Sequence, residues 1–233
     1  MEEDLKVYSQ ITETKESGQI TKVVMVRHAE SIANTEGKYQ GQTYDTDLSE
    51  LGEKQAKALS ERLKDFEIRK IITSPLKRTH QTAVHVANLA NCEIEINSQI
   101  IETNHGVWEG NHKDWIEKKY ADILDMWKKT PSEVVFPNGE SFFNTVDRTL
   151  SFLENTYFTE STLVVTHDNI LRAMISLINN MDINKIWEIP LETTSLNIFE
   201  VNRVNGKNFF RILKLNDVEH LKGLLSDIKT HAL

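Results

Sequence analysis

This chain of 233 residues has one cysteine, four prolines and no long apolar run. With Cys92 alone, no disulfide can form within the chain, which is typical of proteins from a reducing compartment. Nowhere do about 18 apolar residues follow one another, as a membrane-spanning helix requires. The acidic start, Met1-Glu2-Glu3-Asp4, also lacks the basic and apolar regions of a signal peptide. We therefore expect a cytoplasmic protein that does not insert into a membrane.

Positive charge is scarce as well. The chain has 27 lysines and arginines against 35 acidic residues, a formal net charge of −8. The long-range field of such a chain repels nucleic acid and anionic lipid surfaces, so we expect neither as a partner. A local basic pocket for a small anion is compatible with this balance.

The domain organisation follows from length and linker composition. No Pro/Gly/Ser-rich linker divides the chain, and its length suffices to bury one substantial core. Residues 1–19 are polar, mixed in charge and without apolar periodicity. We predict an extension over residues 1–19 and a single domain over residues 20–233.

Predicted strands and helices alternate along the chain. Apolar runs and turn residues indicate strands at residues 21–26, 68–73, 93–96, 161–167, 195–201 and 209–215. Helical periodicity indicates helices at residues 49–65, 75–90, 108–129, 142–157 and 169–178. This alternation predicts an α/β fold, a three-layer α/β/α sandwich with a mostly parallel central sheet.

Two of the predicted strands end in histidine. The apolar run of residues 23–26 leads into Arg27 and His28, and the run of residues 161–166 leads into His167. Because open α/β proteins bind ligands at the carboxyl ends of their strands, we predict an active site where these side chains meet.

Further motifs stand in order over residues 21–216. They are Arg27-His28-Ala29-Glu30-Ser31 with Asn34, Asp47-Leu48-Ser49-Glu50-Leu51-Gly52, Ser74-Pro75-Leu76-Lys77-Arg78-Thr79, Glu102 with Gly106 and Trp108, Gly139-Glu140-Ser141, and Thr166-His167. Together they resemble the histidine phosphatase, or phosphoglycerate mutase-like, superfamily.

The resemblance implies a phosphomonoesterase that works through a phosphohistidine intermediate. His28 is implied as the nucleophile and Glu102 as the acid that protonates the leaving oxygen and later activates water. Phosphoryl transfer also needs positively charged groups that contact the phosphoryl oxygens and stabilise their negative charge. Arg27, Arg78 and His167 are implied to supply it, with Asn34 as a further donor, and neither a metal nor another cofactor is expected.

The segment around Glu102 narrows the resemblance. Residues 101–108 are most similar to metal-independent phosphoserine phosphatases, in which a histidine three places after the acid helps to bind the substrate carboxylate; His105 stands there. Gln40, within Tyr39-Gln40-Gly41, is a further matching residue expected to bind substrate. The expected partner is a small phosphorylated metabolite, with phosphoserine as the candidate, and the resemblance suggests a homodimer.

Alternative functions stay open at this point. A cofactor-dependent phosphoglycerate mutase, a sugar-phosphate or ribazole-type phosphatase and a non-catalytic phospho-ligand-binding protein share several of these motifs. No arginine lies between Glu102 and Gly139, where such mutases carry extra cationic groups. Hydrolysis is therefore favoured over mutase action.

Two further expectations concern side chains near the motifs. The resembling family usually has glycine directly after each key histidine, where this chain has Ala29 and Asp168. A carboxylate beside a phosphate would be repelled, so we expect Asp168 to point away from the pocket. His231 lies outside the motifs, and we expect it at the surface.

Overall fold

A six-stranded sheet forms the centre of the computed structural model, which describes residues 19–232. The strands are β1 (Gln19–Arg27), β2 (Lys70–Thr73), β3 (Ile94–Ile96), β4 (Thr162–Thr166), β5 (Leu196–Val204) and β6 (Lys207–Asp217). Their order across the sheet is β3-β2-β4-β1-β5-β6. The first four in this order are parallel, β5 pairs antiparallel with β1, and β6 pairs antiparallel with β5, so the prediction of a mostly parallel sheet is confirmed.

Helices cover both faces of this sheet. They are α1 (Ile32–Thr35), α2 (Glu50–Arg62), α3 (Lys77–Ala90), α4 (Lys113–Lys119), α5 (Ala121–Lys129), α6 (Phe142–Asn155) and α7 (Asp168–Ile178). Helices α2 and α3 pack on one face, where Val24 and Val26 of β1 lie. Helices α6 and α7 pack on the other, against Val23 and Met25. The alternation of buried side chains along a strand thus produces the predicted three layers.

A separate aromatic cluster lies around α4 and α5. Trp108, Trp127 and Phe136 are buried together there, with ring centroids 5.1 Å apart for both the Trp108–Phe136 and the Trp127–Phe136 pair. The single helical segment predicted over residues 108–129 is in fact broken into a 3₁₀ turn and two helices. Tyr120, with φ −134° and ψ 38°, separates α4 from α5, and its ring centroid lies 6.3 Å from that of Trp108 and 5.7 Å from that of Trp115.

The predicted extension is not part of this description. Residues 1–18 lie outside the described residues, and β1 begins at Gln19. Among residues 19–232, none of the helices has the length and apolar character needed to cross a bilayer.

Candidate active site

The pairing of β1 with β4 brings the two predicted histidines together. The strands are parallel, and Arg27 is the register partner of Thr166, so each strand releases its histidine at the same edge. The His28 amide donates to the Thr166 carbonyl oxygen at 2.9 Å. The two imidazole rings pack edge to face, with centroids 5.3 Å apart.

His28 is held as a neutral imidazole. Its Nδ1 lies 2.7 Å from the Ala29 carbonyl oxygen, an acceptor, so Nδ1 carries the proton and Nε2 keeps its lone pair. Burial, and then the charges of Arg78 and Arg27, hold the pKa of His28 well below its usual value. At neutral pH, Nε2 therefore keeps the unprotonated lone pair that a nucleophile needs.

His167 is a second neutral ring, fully buried beside His28. Its Nε2 lies 2.7 Å from the Ser74 hydroxyl, which already accepts from the Leu76 amide at 3.4 Å. Among the described residues, Nε2 is the acceptor within reach of the Ser74 hydroxyl proton, so we assign that hydroxyl as the donor and place the proton of His167 on Nδ1. Over residues 19–232, Nδ1 has no hydrogen-bond partner, so it is a donor left without an acceptor.

Two buried arginines supply the positive charge of the site. Arg78, on α3, donates from Nη1 to an Asp45 carboxylate oxygen at 2.8 Å and from Nη2 to the Gly41 carbonyl oxygen at 3.1 Å. Arg27 ends β1 and is 1% exposed. Within the described part of the chain, the Nε of each guanidinium has no hydrogen-bond partner, as expected of groups that await an anion.

Glu102 is the carboxylic acid of the pocket. It lies after the 3₁₀ turn Ser98–Ile100, and one carboxylate oxygen accepts from the Thr103 amide at 2.8 Å. Burial raises the pKa of Glu102 to about 7, although the Thr103 amide and Arg78 act in the opposite direction. Glu102 can therefore both give and take a proton near neutral pH.

The three predicted substrate-binding residues also reach this pocket. The Gln40 amide donates to the Ser31 hydroxyl at 2.8 Å, and Ser31 caps α1, which carries Asn34. His105 Nδ1 donates to the Gln40 carbonyl oxygen at 2.6 Å. The pocket is lined by Arg27, His28, Asn34, Tyr39, Gln40, Arg78, Glu102, His105, Asp168, Asn169 and Ala232.

His105 is a neutral ring in this structure. Its Nε2 lies 3.2 Å from the Asn169 side-chain amide, which can only donate to it because Nδ1 holds the ring proton. Burial lowers the pKa of His105 to about 4, although the Gln40 carbonyl raises it. Asn169 was missed by the sequence analysis, and its only signal was its place two residues after His167.

The expectation that Asp168 points away from the pocket is wrong. Its side chain lies inside, 3% exposed, with Oδ1 3.0 Å from Arg27 Nη1 and Oδ2 2.6 Å from Arg172 Nε. Burial would raise the pKa of Asp168, but Arg172 and Arg27 together lower it below its usual value. Two flanking cations thus offset the cost of burying an ionised carboxylate in this pocket.

The expectation that His231 lies at the surface is also wrong. The carboxyl-terminal segment folds back over the site, and His231 is 5% exposed. Its Nδ1 lies 3.3 Å from Arg27 Nη2 and its Nε2 lies 3.7 Å from a Glu30 carboxylate oxygen. No local pattern predicts this contact, because it joins residues 204 positions apart.

Over residues 19–232, no group of three or more His, Cys, Asp or Glu side chains is arranged to hold a metal ion.

A neutral histidine with a free nitrogen, two buried arginines and a carboxylic acid with a raised pKa are the groups of a phosphoryl-transfer site. The family comparison agrees with this geometry. Residues 23–217 match the model of the histidine phosphatase superfamily, branch 1. The chain belongs to this superfamily and is a phosphatase that hydrolyses phosphoric monoesters.

Individual relatives cover most of the chain. Phosphoserine phosphatase 1 of Hydrogenobacter thermophilus is 36% identical over 205 residues, which is 87% of this chain and 95% of that protein. The metal-independent phosphoserine phosphatase of Arabidopsis thaliana is 33% identical over 178 residues, 74% of this chain and 71% of that protein. The solved structure of Bacillus stearothermophilus YhfR superposes with a TM-score of 0.79 at 28% identity, covering 86% of this chain and 99% of that one.

We expect the Glu102 carboxyl group to titrate near pH 7 in the free protein, because burial disfavours its charged form. Carbon-13 NMR of protein labelled at the glutamate side-chain carboxyl carbon will measure this midpoint, and the Glu102→Gln variant will assign the resonance. Saturation with orthovanadate should raise the midpoint, since an oxyanion repels the carboxylate. A midpoint near the usual value of about 4.3 would contradict the assignment.

Proposed function

We propose that this phosphatase hydrolyses a small phosphorylated amino acid, phosphoserine, through a phosphohistidine formed on His28. The observation that carries the proposal is the neutral His28 ring, whose free Nε2 lies in one buried pocket with Arg27, Arg78 and Glu102. These groups are what in-line phosphoryl transfer requires.

In the first step, the phosphoryl oxygens bind Arg27 and Arg78, with the Asn34 amide and His167 Nδ1 as further donors. His28 Nε2 attacks phosphorus, and the bond between phosphorus and the ester oxygen breaks. Glu102, protonated in part of the molecules at neutral pH, gives its proton to that oxygen, so the product leaves as an alcohol.

In the second step, water completes the reaction. Ionised Glu102 takes a proton from a water molecule as its oxygen attacks phosphorus, and the bond between phosphorus and His28 breaks. Inorganic phosphate forms, and Glu102 is again protonated. Because a bound phosphoryl group disfavours the Glu102 anion, the carboxyl keeps its proton until the leaving group has departed.

The charge of the two arginines makes a metal unnecessary in this scheme. Arg27 and Arg78 are permanently charged, buried and aimed into one pocket, where electrostatic stabilisation of the transferring group is strongest. The similarity to the metal-independent Arabidopsis protein supports the same conclusion.

The substrate assignment depends on His105 and Asn169. The substrate carboxylate meets the Asn169 amide and the His105 ring, whose Nε2 takes up a proton as the carboxylate arrives. The two relatives named phosphoserine phosphatase support this choice.

The charge of the pocket favours hydrolysis over mutase action. The permanent cations that line the described pocket are Arg27 and Arg78 alone, whereas a mutase must retain a bisphosphate. The homodimer and the cytoplasmic location implied by the resemblance stay predictions, and light scattering of the purified protein will test the first.

Chelation should leave activity intact. With the arginines supplying the charge, kcat/KM for p-nitrophenyl phosphate in excess EDTA should stay within about two-fold of the untreated value. Addition of Mg²⁺ serves as the control and should change nothing. Loss of most activity in EDTA, restored by Mg²⁺, would contradict metal independence.

The two chemical roles separate by mutation. His28→Ala should abolish turnover and the acid-labile phosphoenzyme, because no other group takes the phosphoryl. Glu102→Gln should slow phosphoenzyme formation on the order of 10²- to 10⁴-fold for alkyl phosphates and far less for aryl phosphates, whose leaving groups need no proton. Rapid-quench trapping of labelled phosphoenzyme will measure both. An equal defect for the two ester types would show that Glu102 is not the acid.

The pH dependence of the first step also tests whether Glu102 is the general acid. Protonated Glu102 is the active form, so kcat/KM for an alkyl phosphate should fall as pH rises through about 7. The Glu102→Gln variant, tested as the control, should lose this decrease together with most of its activity.

Phosphoserine should be preferred over phosphoethanolamine, which lacks only the carboxylate. A lost charge-assisted hydrogen bond costs on the order of 1.5 to 3 kcal/mol, or about ten- to a hundred-fold in kcat/KM. His105→Ala should erase this preference and leave hydrolysis of p-nitrophenyl phosphate nearly intact. Equal kcat/KM for the two natural esters in the unmodified protein would move the assignment to a broad-specificity or sugar-phosphate phosphatase.

A further inference from the structure

The carboxylate of Asp168 joins two buried guanidinium groups. Its Oδ1 lies 3.0 Å from Arg27 Nη1, and its Oδ2 lies 2.6 Å from Arg172 Nε. All three side chains are buried. A carboxylate at this place is a departure from the glycine usual in the resembling family, so its position calls for a reason particular to this chain.

Arg172 and Asp168 form the fixed half of this arrangement. They lie one turn apart on α7, and Arg172 Nη1 donates to the carbonyl oxygen of Ile186 at 3.1 Å and also to that of Ile189. The Asp168 carboxylate is therefore anchored to α7 and, through Arg172, to the 3₁₀ segment Ile183–Glu188 and the residue after it.

Arg27 is the less constrained partner. Its guanidinium has Asp168 on one side and His231 Nδ1 at 3.3 Å on another. Over residues 19–232, neither Nε nor Nη1 of Arg27 has a hydrogen-bond partner, so the 3.0 Å contact with Asp168 is an ion pair and not a directed hydrogen bond. An arginine side chain has many rotamers, and a donor already held in place loses less entropy when it binds an anion.

We propose that Asp168 is a positioning residue that holds the Arg27 guanidinium in the orientation required to bind the substrate's phosphoryl group. This inference rests on the proposed function, because it takes Arg27 as a phosphoryl ligand. The carboxylate also repels the phosphoryl dianion, and the shared pairing with Arg172 offsets that repulsion, since two cations flank one anion. A substitution that removes the charge of Asp168 therefore separates the two effects: loss of positioning weakens oxyanion binding, whereas loss of repulsion strengthens it.

Asp168→Asn keeps the shape of the side chain and removes its charge. We expect inhibition by orthovanadate to weaken about ten-fold or more, because Arg27 is no longer held. The kcat/KM values for p-nitrophenyl phosphate, phosphoserine and phosphoethanolamine should fall by one common factor, because the phosphoryl group is the part these esters share. Their relative order should stay the same.

A matched control separates positioning from stability. Asp217 is another buried carboxylate, 3.2 Å from Arg62 Nη2 and 3.0 Å from Lys214 Nζ, and it is not among the residues that line the pocket. Asp217→Asn should lower the midpoint of thermal unfolding and leave vanadate inhibition unchanged.

The outcomes are distinguishable. Equal or tighter vanadate inhibition in Asp168→Asn overturns the positioning role. A loss confined to the two amine-containing esters also overturns it, and would make Asp168 a ligand of the substrate ammonium group instead. If the unmodified protein forms no phosphoenzyme on His28, the proposed function fails first. If the unmodified protein forms the phosphoenzyme and the Asp168→Asn variant has the same vanadate inhibition and the same kcat/KM values, only the positioning role fails.

Discussion

The parallel pairing of β1 with β4 is the constraint on which the site depends. The register that places Arg27 opposite Thr166 fixes the point at which both strands leave the sheet. The hydrogen bond from the His28 amide to the Thr166 carbonyl oxygen extends the pairing by one residue. A slip of one residue would reverse the face of every side chain in the strand. It would bury the wrong apolar set and move His28 away from His167, so packing and chemistry require the same register.

Charge balance is the second requirement of the pocket. A net charge of −8 does not prevent anion binding, because Arg27 and Arg78 act at short range in a buried place where solvent screening is weak. Each arginine has an acidic neighbour, Asp168 for Arg27 and Asp45 for Arg78, so neither buried cation lacks a counter-charge.

Much of the fold and most residues of the candidate site could be predicted from the sequence. Strand ends are visible as apolar runs that stop at Arg27 and at His167, and parallel topology then brings them together. The orientation of Asp168 could not be predicted, because it depends on Arg172 one helical turn away and on carbonyl groups of Ile186 and Ile189. The burial of His231 could not be predicted for a similar reason. It depends on the return of the carboxyl-terminal segment to Arg27, and hydrophobic periodicity does not indicate contacts between distant parts of the chain. The interruption at Tyr120, whose ring packs beside Trp108 and Trp115, has no glycine or proline to mark it in the sequence.

The return of the carboxyl-terminal segment over the pocket has a practical consequence for handling the protein. The Gln55 amide donates to the Leu224 carbonyl oxygen at 2.8 Å, and Lys113 Nζ donates to that of Lys229 at 2.6 Å, which fastens the segment on both sides. Ala232 then lies in the pocket wall. A purification tag fused to the carboxyl terminus would thus follow closely on a residue of the pocket wall. The other end of the described chain is remote from the pocket, because the nine residues of β1, at roughly 3.3 Å each, separate Gln19 from His28 by about 30 Å.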